Sequence, residues 1–426
     1  MRMEKISIHT LGCKVNYADM QSLSQDLEPV ADVPTALVGT CCVTAEGEKQ
    51  SRKEVRRALR RVGPDGKVFV AGCAARLHPD AFARMGKNVK VLEFDTDTQA
   101  AWTQTPGGEI QAGTVGLEMH NAVRRGPEIH GGEAVCNDRA RFFLKVQDGC
   151  ANMCSYCVLP QVRGRPRSIR LGEVVEKAGN AVVSGCTELV VTGINTGSYM
   201  DGDEDLAALM KELSMLEGLA RLRLSSVEAV HISDSLLKVM SNRDVIGRHL
   251  HLPLQSGDDG VLKAMGRRYD THSFAEVVER IRKVIPGINL TTDVITGFPA
   301  EDVKAFENTA DFIQQMDFSK VHVFSYSPRP GTKAAKLGDP VSAEEKRRRA
   351  GKLRELSDRL QDNHRQRKLG HVNEILLESA RARGVHAGYS SDYTKYIVEG
   401  GQAGSMVKVC GELVTPEGIW GKVIGE

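Results

Sequence analysis

Lys145-Val146-Gln147-Asp148-Gly149-Cys150-Ala151-Asn152-Met153-Cys154-Ser155-Tyr156-Cys157 is the stretch that decides how the chain is read. Phe142–Val146 reads as a strand, and the three cysteines follow it in a loop with CxxxCxxC spacing. Thiolates suit iron–sulfur clusters, and four would close a 4Fe–4S site. The loop offers three, so one iron is left for a ligand from outside the chain. Zinc would need a fourth ligand such as histidine nearby, and the loop has none. Buried, inert thiols are the blander reading, and three cysteines this close together weigh against it.

Outward from the loop, strand and helix patterns alternate. Strand candidates are Phe142–Val146, Glu188–Thr192, Arg221–Ser225, His249–Leu252, Asn289–Thr292 and Lys320–Phe324. Helical patterns lie between them, such as Leu171–Ser184 closed by Gly185 and Ser273–Val284 closed by Pro286. Six βα units in a row predict an open, partial (β/α)6 barrel, because right-handed crossovers curl such a chain.

Upstream, Ile6–His9, Ala36–Val38 and Val68–Ala71 alternate with helix candidates over Tyr17–Leu27 and Glu48–Val62, the pattern of a parallel α/β sheet. Residues 103–140 turn polar and Gly-rich. Downstream, Ser342-Ala343-Glu344-Glu345 is a capping box opening a long charged helix. Short strands follow at Val372–Glu378, Thr394–Glu399, Met406–Val409 and Ile419–Ile424, which fit a small five-stranded β-barrel of the OB type. The expected fold class is therefore α/β, with domains at 1–115, 141–365 and 366–426 and a linker at 116–140.

The 426 residues exceed one ordinary domain, and 41% hydrophobic content is enough to bury real cores. No run of eighteen apolar residues exists, and the start, Met1 to Ile8, lacks a signal-peptide core. A cytoplasmic, reducing setting is expected, in which ten cysteines more often serve metals or chemistry than disulfides. A net charge of +2 gives no general argument for a nucleic-acid partner, which must rest on local patches.

A second cysteine set is spread wider. Cys13 lies in Leu11-Gly12-Cys13-Lys14-Val15-Asn16, Cys41 in Gly39-Thr40-Cys41-Cys42-Val43-Thr44 and Cys73 in Ala71-Gly72-Cys73-Ala74. Each follows a predicted strand, and parallel strands put their carboxyl ends on one edge of the sheet, where α/β folds bind ligands. The three are expected to converge as a second metal-ligating set. Cys41 and Cys42 are neighbours that point oppositely on extended chain, so one of them should face the set. Cys136, Cys186 and Cys410 read as packing.

The CxxxCxxC motif with Tyr156 before its last cysteine resembles the radical S-adenosylmethionine (SAM) superfamily. Over nearly the whole chain the arrangement is similar to the methylthiotransferase family. The motifs that carry the likeness are Leu11-Gly12-Cys13, Thr40-Cys41, Gly72-Cys73, Gln147-Asp148-Gly149-Cys150, Thr192-Gly193-Ile194-Asn195, Leu252-Pro253-Leu254-Gln255-Ser256-Gly257 and Ser327-Pro328-Arg329-Pro330-Gly331-Thr332. Gly39, Cys42 and Ala300 depart from the family's usual residues.

The resemblance implies two 4Fe–4S clusters, one on Cys150, Cys154 and Cys157 that cleaves SAM to a 5′-deoxyadenosyl radical, and an auxiliary one on Cys13, Cys41 and Cys73 that presents sulfur. It implies SAM as methyl donor and radical source, and a C-terminal TRAM domain. Of three substrate branches, the loops look most like the one that methylthiolates carbon 2 of N6-threonylcarbamoyladenosine at position 37 of tRNA. The alternatives are isopentenyladenosine in tRNA and a ribosomal-protein aspartate. A non-enzyme alternative is an RNA-binding protein with structural clusters, which would need a fourth protein ligand. Implied partners are a tRNA anticodon stem-loop, an electron donor such as flavodoxin or ferredoxin, and a sulfur source. No membrane partner is implied, and a monomer is expected.

The candidate SAM contacts are Tyr156, whose ring the family packs near adenine, and Thr192, Gly193, Ser225, Glu228 and Gln255 at the strands' carboxyl ends. Asp293, read as following strand five, is a further polar group there. Glu228 stands out, since a carboxylate accepts from ribose hydroxyls. Candidate RNA contacts are Arg163, Arg165 and Arg167 after the cysteine loop, and Lys395 and Lys408 on the terminal barrel. The basic residues between Lys49 and Arg61 read as a solvated helix face.

Overall fold

The structure, a computed structural model, describes residues 6–27, 33–94, 101–104, 141–382 and 384–425; the expected linker at 116–140 lies outside them. The chain divides into two compact units. The first takes the N-terminal segment to Gly132 together with Asp148–Pro166 and Ser327–Ala335, and the second takes Glu133–Gln147, Arg167–Tyr326 and Lys336–Glu426.

The first unit is built on a sheet of β1 (Ile6–Thr10), β2 (Thr35–Thr40), β3 (Lys67–Gly72), β4 (Val89–Phe94) and β5 (Ala101–Gln104), in that order. The first four strands are parallel and β5 is antiparallel. Helices α1 (Lys14–Leu27), α2 (Ala45–Val62), α3 (Cys73–Leu77) and α4 (Pro79–Ala83) make the connections. Successive β2 and β3 side chains feed two small cores. Ala36, Val38, Val68 and Val70 pack with Val55, Ala58 and Phe82, while Leu37 and Phe69 pack with Met20, Leu23 and Leu27. This is the two-sided burial that central parallel strands require. Helix α2 starts where the Thr44 hydroxyl accepts from the Gly47 amide (3.0 Å), with Glu46 and Glu48 in its first turn and Arg60 and Arg61 in its last. That arrangement suits the helix dipole.

In the second unit, β6 (Arg141–Asp148) leads into the cysteine loop, which holds the one-turn helix α5 (Leu159–Arg163) on the first unit's side. Then come β7 (Arg167–Ser168), α6 (Leu171–Val183), β8 (Glu188–Gly193), the small hairpin β9 (Met200–Asp201) and β10 (Glu204–Asp205), α7 (Leu206–Leu213), β11 (Arg221–Leu224) and α8 (Asp234–Ser241). The chain continues through β12 (His249–His251), α9 (Asp259–Met265), α10 (Thr271–Val284), β13 (Asn289–Thr296), α11 (Val303–Gln315), β14 (Lys320–Ser325) and α12 (Ala343–Gln366). Sheets ordered β11-β8-β6-β7 and β12-β13-β14 are joined by parallel bridges from Leu222 to Ile246 and from Ser226 to His251. The expected six-stranded open barrel is thus present. Leu144, Leu189, Leu222, Leu250, Leu290 and Val321 face the helices and share one core with Phe274, Val278, Ile281 and Ile313. The alternate residues of each strand point to the inner face.

The chain ends in a closed barrel of β15 (Val372–Ala382), β16 (Val385–Ser390), β17 (Lys395–Glu399), β18 (Met406–Thr415) and β19 (Gly418–Gly425), around Ile375, Leu377, Tyr396, Val398, Val407 and Ile419. Strand β16 has no counterpart among the four expected strands, because Val385-His386-Ala387-Gly388-Tyr389-Ser390 carries turn-like residues. Gly388 is required there: a Cβ would meet the Leu376 carbonyl at 2.3 Å.

The turn after β16 docks on the amino ends of the half-barrel strands. Glu188, fully buried, meets Arg141, Arg221 and Arg223. Arg221 and Arg223 donate on to the Tyr389 (2.7 Å) and Ser390 (2.8 Å) carbonyls, and Asn289 to the Asp392 carbonyl (2.7 Å). The Arg223 guanidinium also lies 4.4 Å over the Tyr393 ring. Burial opposes the charge on Glu188, yet the arginines outweigh it and hold its carboxyl below the ordinary range. Among the described residues, no helix is long and apolar enough to cross a membrane.

Candidate active site

Strands β1, β2 and β3 end level, with Thr10 paired to Gly39 and Thr40 to Gly72. Cys41 and Cys73 directly follow β2 and β3, and Cys13 ends the turn after β1. Side chains tie this edge together. Asn16, buried, donates to the Leu11 (2.6 Å) and Thr40 (3.3 Å) carbonyls. Thr40 Oγ1 donates to the Ala71 carbonyl (2.7 Å) and accepts from the Ala75 amide (2.9 Å). Gly72 takes φ +93°, and a Cβ there would meet the Thr40 carbonyl at 2.6 Å. Only glycine lets Cys73 turn straight from strand into helix.

The three cysteines lie within electrostatic reach of one another. Cys42 is instead fully buried, in the core of Ala36, Val55 and Val70. Cys41 lies within electrostatic reach of both Cys13 and Cys73, while the Cys42 thiol contacts Cys73 from the core side. Burial raises the Cys13 thiol, although it opens to solvent on one side, and lifts Cys41 to about 11. Cys73 goes the other way, to about 6: the Cys42 thiol donates to it, and Arg163 adds positive charge.

Arg163, expected at an RNA surface, is 2% exposed and points inward. Its Nε donates to Cys73 Sγ (3.3 Å) and its Nη1 to Asp19 Oδ2 (2.7 Å) and Asp148 Oδ2 (3.3 Å). One guanidinium therefore joins a cysteine of the dispersed set to the residue two before Cys150. A planar fork of five donors suits that task better than a lysine. The sequence places Arg163 in a basic run, and only the fold reveals its acidic partners. Arg165 is exposed and Arg167 half-buried.

The loop itself is shaped by Gly149, at φ +72°, where a Cβ would lie 2.0 Å from the Arg165 carbonyl. The Cys150 amide donates to the Gly164 carbonyl (3.1 Å) and the Cys157 amide to the Cys154 carbonyl (3.1 Å). Cys150, Cys154, Cys157 and Tyr156 are all half-buried. Segment Ser327–Ala335 returns to brace the unit: the Ala334 amide donates to the Ser155 carbonyl (2.7 Å), and Arg329 pairs with the buried Glu48. Sequence reading missed Asp19, Glu48 and Arg329 in these supporting positions, since each reads alone as a surface charge.

Both sets fit a cluster better than a single ion. Tetrahedral zinc would hold its sulfurs about 3.8 Å apart. Among the described residues, the group of His, Cys, Asp and Glu ligand atoms within 4.8 Å of one another contains no cysteine. In the dispersed set, burial disfavours the bare anions of Cys13 and Cys41, which calls for a cation to share their charge. Cys186, read as packing, is buried in the core of the second unit.

In the second unit, Thr192 and Ser225 are buried at the carboxyl end of the half-barrel, and Ser225 Oγ lies 3.2 Å from Thr196 Oγ1. Gly193 packs against Gln147. Glu228 is half-buried and paired with Arg267 (3.1 Å). Gln255 takes φ +73° between backbone bonds to the Asp293 carbonyl (2.8 Å) and from the Ile295 amide (2.9 Å). Such strain in a non-glycine residue collects at binding sites. Asp293 lies inside β13 rather than after it, because that strand runs on to Thr296. Lys395 is half-buried and Lys408 exposed on the terminal barrel.

A family model of the radical SAM superfamily matches residues 144–313, and one of an uncharacterized protein family, UPF0004, matches residues 5–92. The threonylcarbamoyladenosine tRNA methylthiotransferase MtaB of Bacillus subtilis is 36% identical over 427 residues, covering 96% of this chain and 93% of the relative. The protein of the same name from Thermotoga maritima is 32% identical over 429 residues, covering 98% and 96%. Among solved structures, the radical SAM methyltransferase TsrM from Kitasatospora setae aligns with a TM-score of 0.51 at 15% identity, over 76% of this chain and 74% of that one. That likeness concerns the fold alone. With two three-cysteine sets in place and relatives matched almost end to end, the chain belongs to the MtaB-like family of radical SAM methylthiotransferases.

Proposed function

We propose that this chain replaces the C–H bond at carbon 2 of N6-threonylcarbamoyladenosine in tRNA, at position 37 of the anticodon stem-loop, with a methylthio group. The observation that carries the reading is the pair of three-thiol sets in one unit, linked through Arg163. When bound, two 4Fe–4S clusters and SAM supply the electron, the 5′-deoxyadenosyl radical, the methyl group and the sulfur.

The chain's own part is to hold and shield. Cys150, Cys154 and Cys157 would hold one cluster and leave an iron open for SAM, and Cys13, Cys41 and Cys73 would hold the other. Arg163 would fix their relation and share the negative charge on Cys73. Thr192, Gly193, Ser225, Glu228 and Gln255 offer polar groups to the ribose and methionine parts of SAM, with Tyr156 near its adenine. Arg165, Arg167, Lys395 and Lys408 would offer positive charge to phosphates, the last two on the TRAM-like barrel. A small electron carrier such as flavodoxin or ferredoxin and a sulfur source complete the cycle.

Mass spectrometry of tRNA nucleosides from a deletion strain tests this. Loss of 2-methylthio-N6-threonylcarbamoyladenosine is expected, with restoration on re-expression. An unchanged nucleoside profile would refute it, and loss of the isopentenyl counterpart alone would move the chain to the other tRNA branch.

A further inference from the structure

On the inner face of β12, β13 and β14, three titratable side chains meet. Asp293 and His322 are register partners across β13 and β14, and His251 is the partner of Thr291. The ligand atoms of His251, Asp293 and His322 all lie within 4.8 Å of one another. His251 Nε2 is 3.2 Å from Asp293 Oδ2, and the two imidazole rings are 5.6 Å apart. The opposite face of the same strands carries Leu250, Leu290 and Val321, buried against helices. Polar groups on this inner face are therefore a choice of sequence and not a demand of packing.

The hydrogen bonds set a direction. Thr291 Oγ1 lies 2.9 Å from His249 Nε2 and 2.9 Å from His251 Nδ1. Its single proton serves one ring, so it accepts from the other. A neutral His251 facing the Asp293 carboxylate carries its proton on Nε2, so its Nδ1 accepts from Thr291 and His249 donates to Thr291. This tautomer follows from the network. Asp293 then stands as an acceptor, 27% exposed toward the inner space, beside the exposed His322 as a donor.

We infer that His251, Asp293 and His322 recognise the amino-acid arm of the substrate base, with Asp293 accepting from its hydroxyl and His322 donating to its carboxylate. This rests on the threonylcarbamoyladenosine reading above. That arm carries one hydroxyl and one carboxylate, whereas a prenyl arm carries neither. A site built to pair polar groups rejects a ligand that leaves them unpaired far more strongly than an apolar pocket rejects a misfit. A divalent cation is the competing occupant. It would require His251 to release its Nε2 proton and its bond to Asp293.

The test uses the reconstituted holoenzyme with anticodon stem-loop RNA carrying either threonylcarbamoyladenosine or isopentenyladenosine. His322→Phe and Asp293→Asn are expected to raise KM for the first RNA by about tenfold or more. For His322→Phe, SAM cleavage without RNA should stay within about twofold of the parent. His322→Gln, which still donates, should recover most of the loss. Unchanged KM in both variants, or an equal fall in RNA-independent SAM cleavage with His322→Phe, would overturn the assignment while leaving the substrate reading intact. A stoichiometric divalent ion lost in these variants would overturn it in favour of a metal centre. A parent enzyme that ignores the first RNA and modifies the second would refute the substrate reading itself, and the assignment with it.

Discussion

The two cysteine sets solve one chemical problem by opposite means. Cys150, Cys154 and Cys157 sit in eight consecutive residues, so local turns bring them together. Cys13, Cys41 and Cys73 come from three strand ends and meet only when the parallel sheet has formed. The first set needs only a loop that can bend at Gly149. The second needs Asn16, Thr40 and Ser51 to lock three turns together, and the Cys41 amide donates to Ser51 Oγ (3.0 Å) for that purpose. A local set can be transplanted, whereas a dispersed one stands or falls with its domain.

The largest effect should separate the two sets by function. Cys150→Ala is expected to lower 5′-deoxyadenosine formation by at least ~1000-fold, whereas Cys13→Ala keeps SAM cleavage and loses the methylthio product, both read by chromatography of quenched anaerobic reactions. If the Cys13 variant still made product at the parent rate, the division of labour would be wrong. Iron analysis sharpens the dispersed set further. Cys41→Ser should remove about half of the eight irons of two clusters, while Cys42→Ser should keep nearly all of them; the reverse pattern would exchange their roles.

Arg163→Met leaves Asp19 buried without its partner and should cost about 3–5 kcal/mol in chemical denaturation, with Arg163→Lys losing less. A neutral result would show that the link between the sets is not structural. Gly149→Ala, forced to hold φ +72° against the Arg165 carbonyl, should destabilise the loop by about 1–3 kcal/mol and impair cluster assembly, seen as lower iron content. Met153→Ala, at a 63% exposed position between two cysteines of that loop, should change stability by less than about 0.5 kcal/mol.

Legibility in the sequence followed the same divide. The CxxxCxxC loop announced itself by spacing, and the six barrel strands by alternation with helices. Convergence of Cys13, Cys41 and Cys73 was readable because the sheet-edge rule is general. Arg163 was misplaced because its environment depends on Asp19 and Asp148, far from it in sequence. Strand β16 was missed because Gly388 and Ser390 are turn formers by local preference, overridden by barrel closure. The His251–Asp293–His322 group was invisible for a related reason: its members belong to three strands and share only a register.

The docking of the terminal barrel on the half-barrel has a consequence for anyone who would shorten or recombine this enzyme. A chain ending near residue 366 would strip Arg221 and Arg223 of the carbonyls they now serve, leaving Glu188 and its arginines in a charged, wetted hole at the amino ends of the half-barrel strands. The last sixty residues therefore behave less as a detachable handle than as a keystone, and a graft from a relative would have to bring a matching set of stones with it.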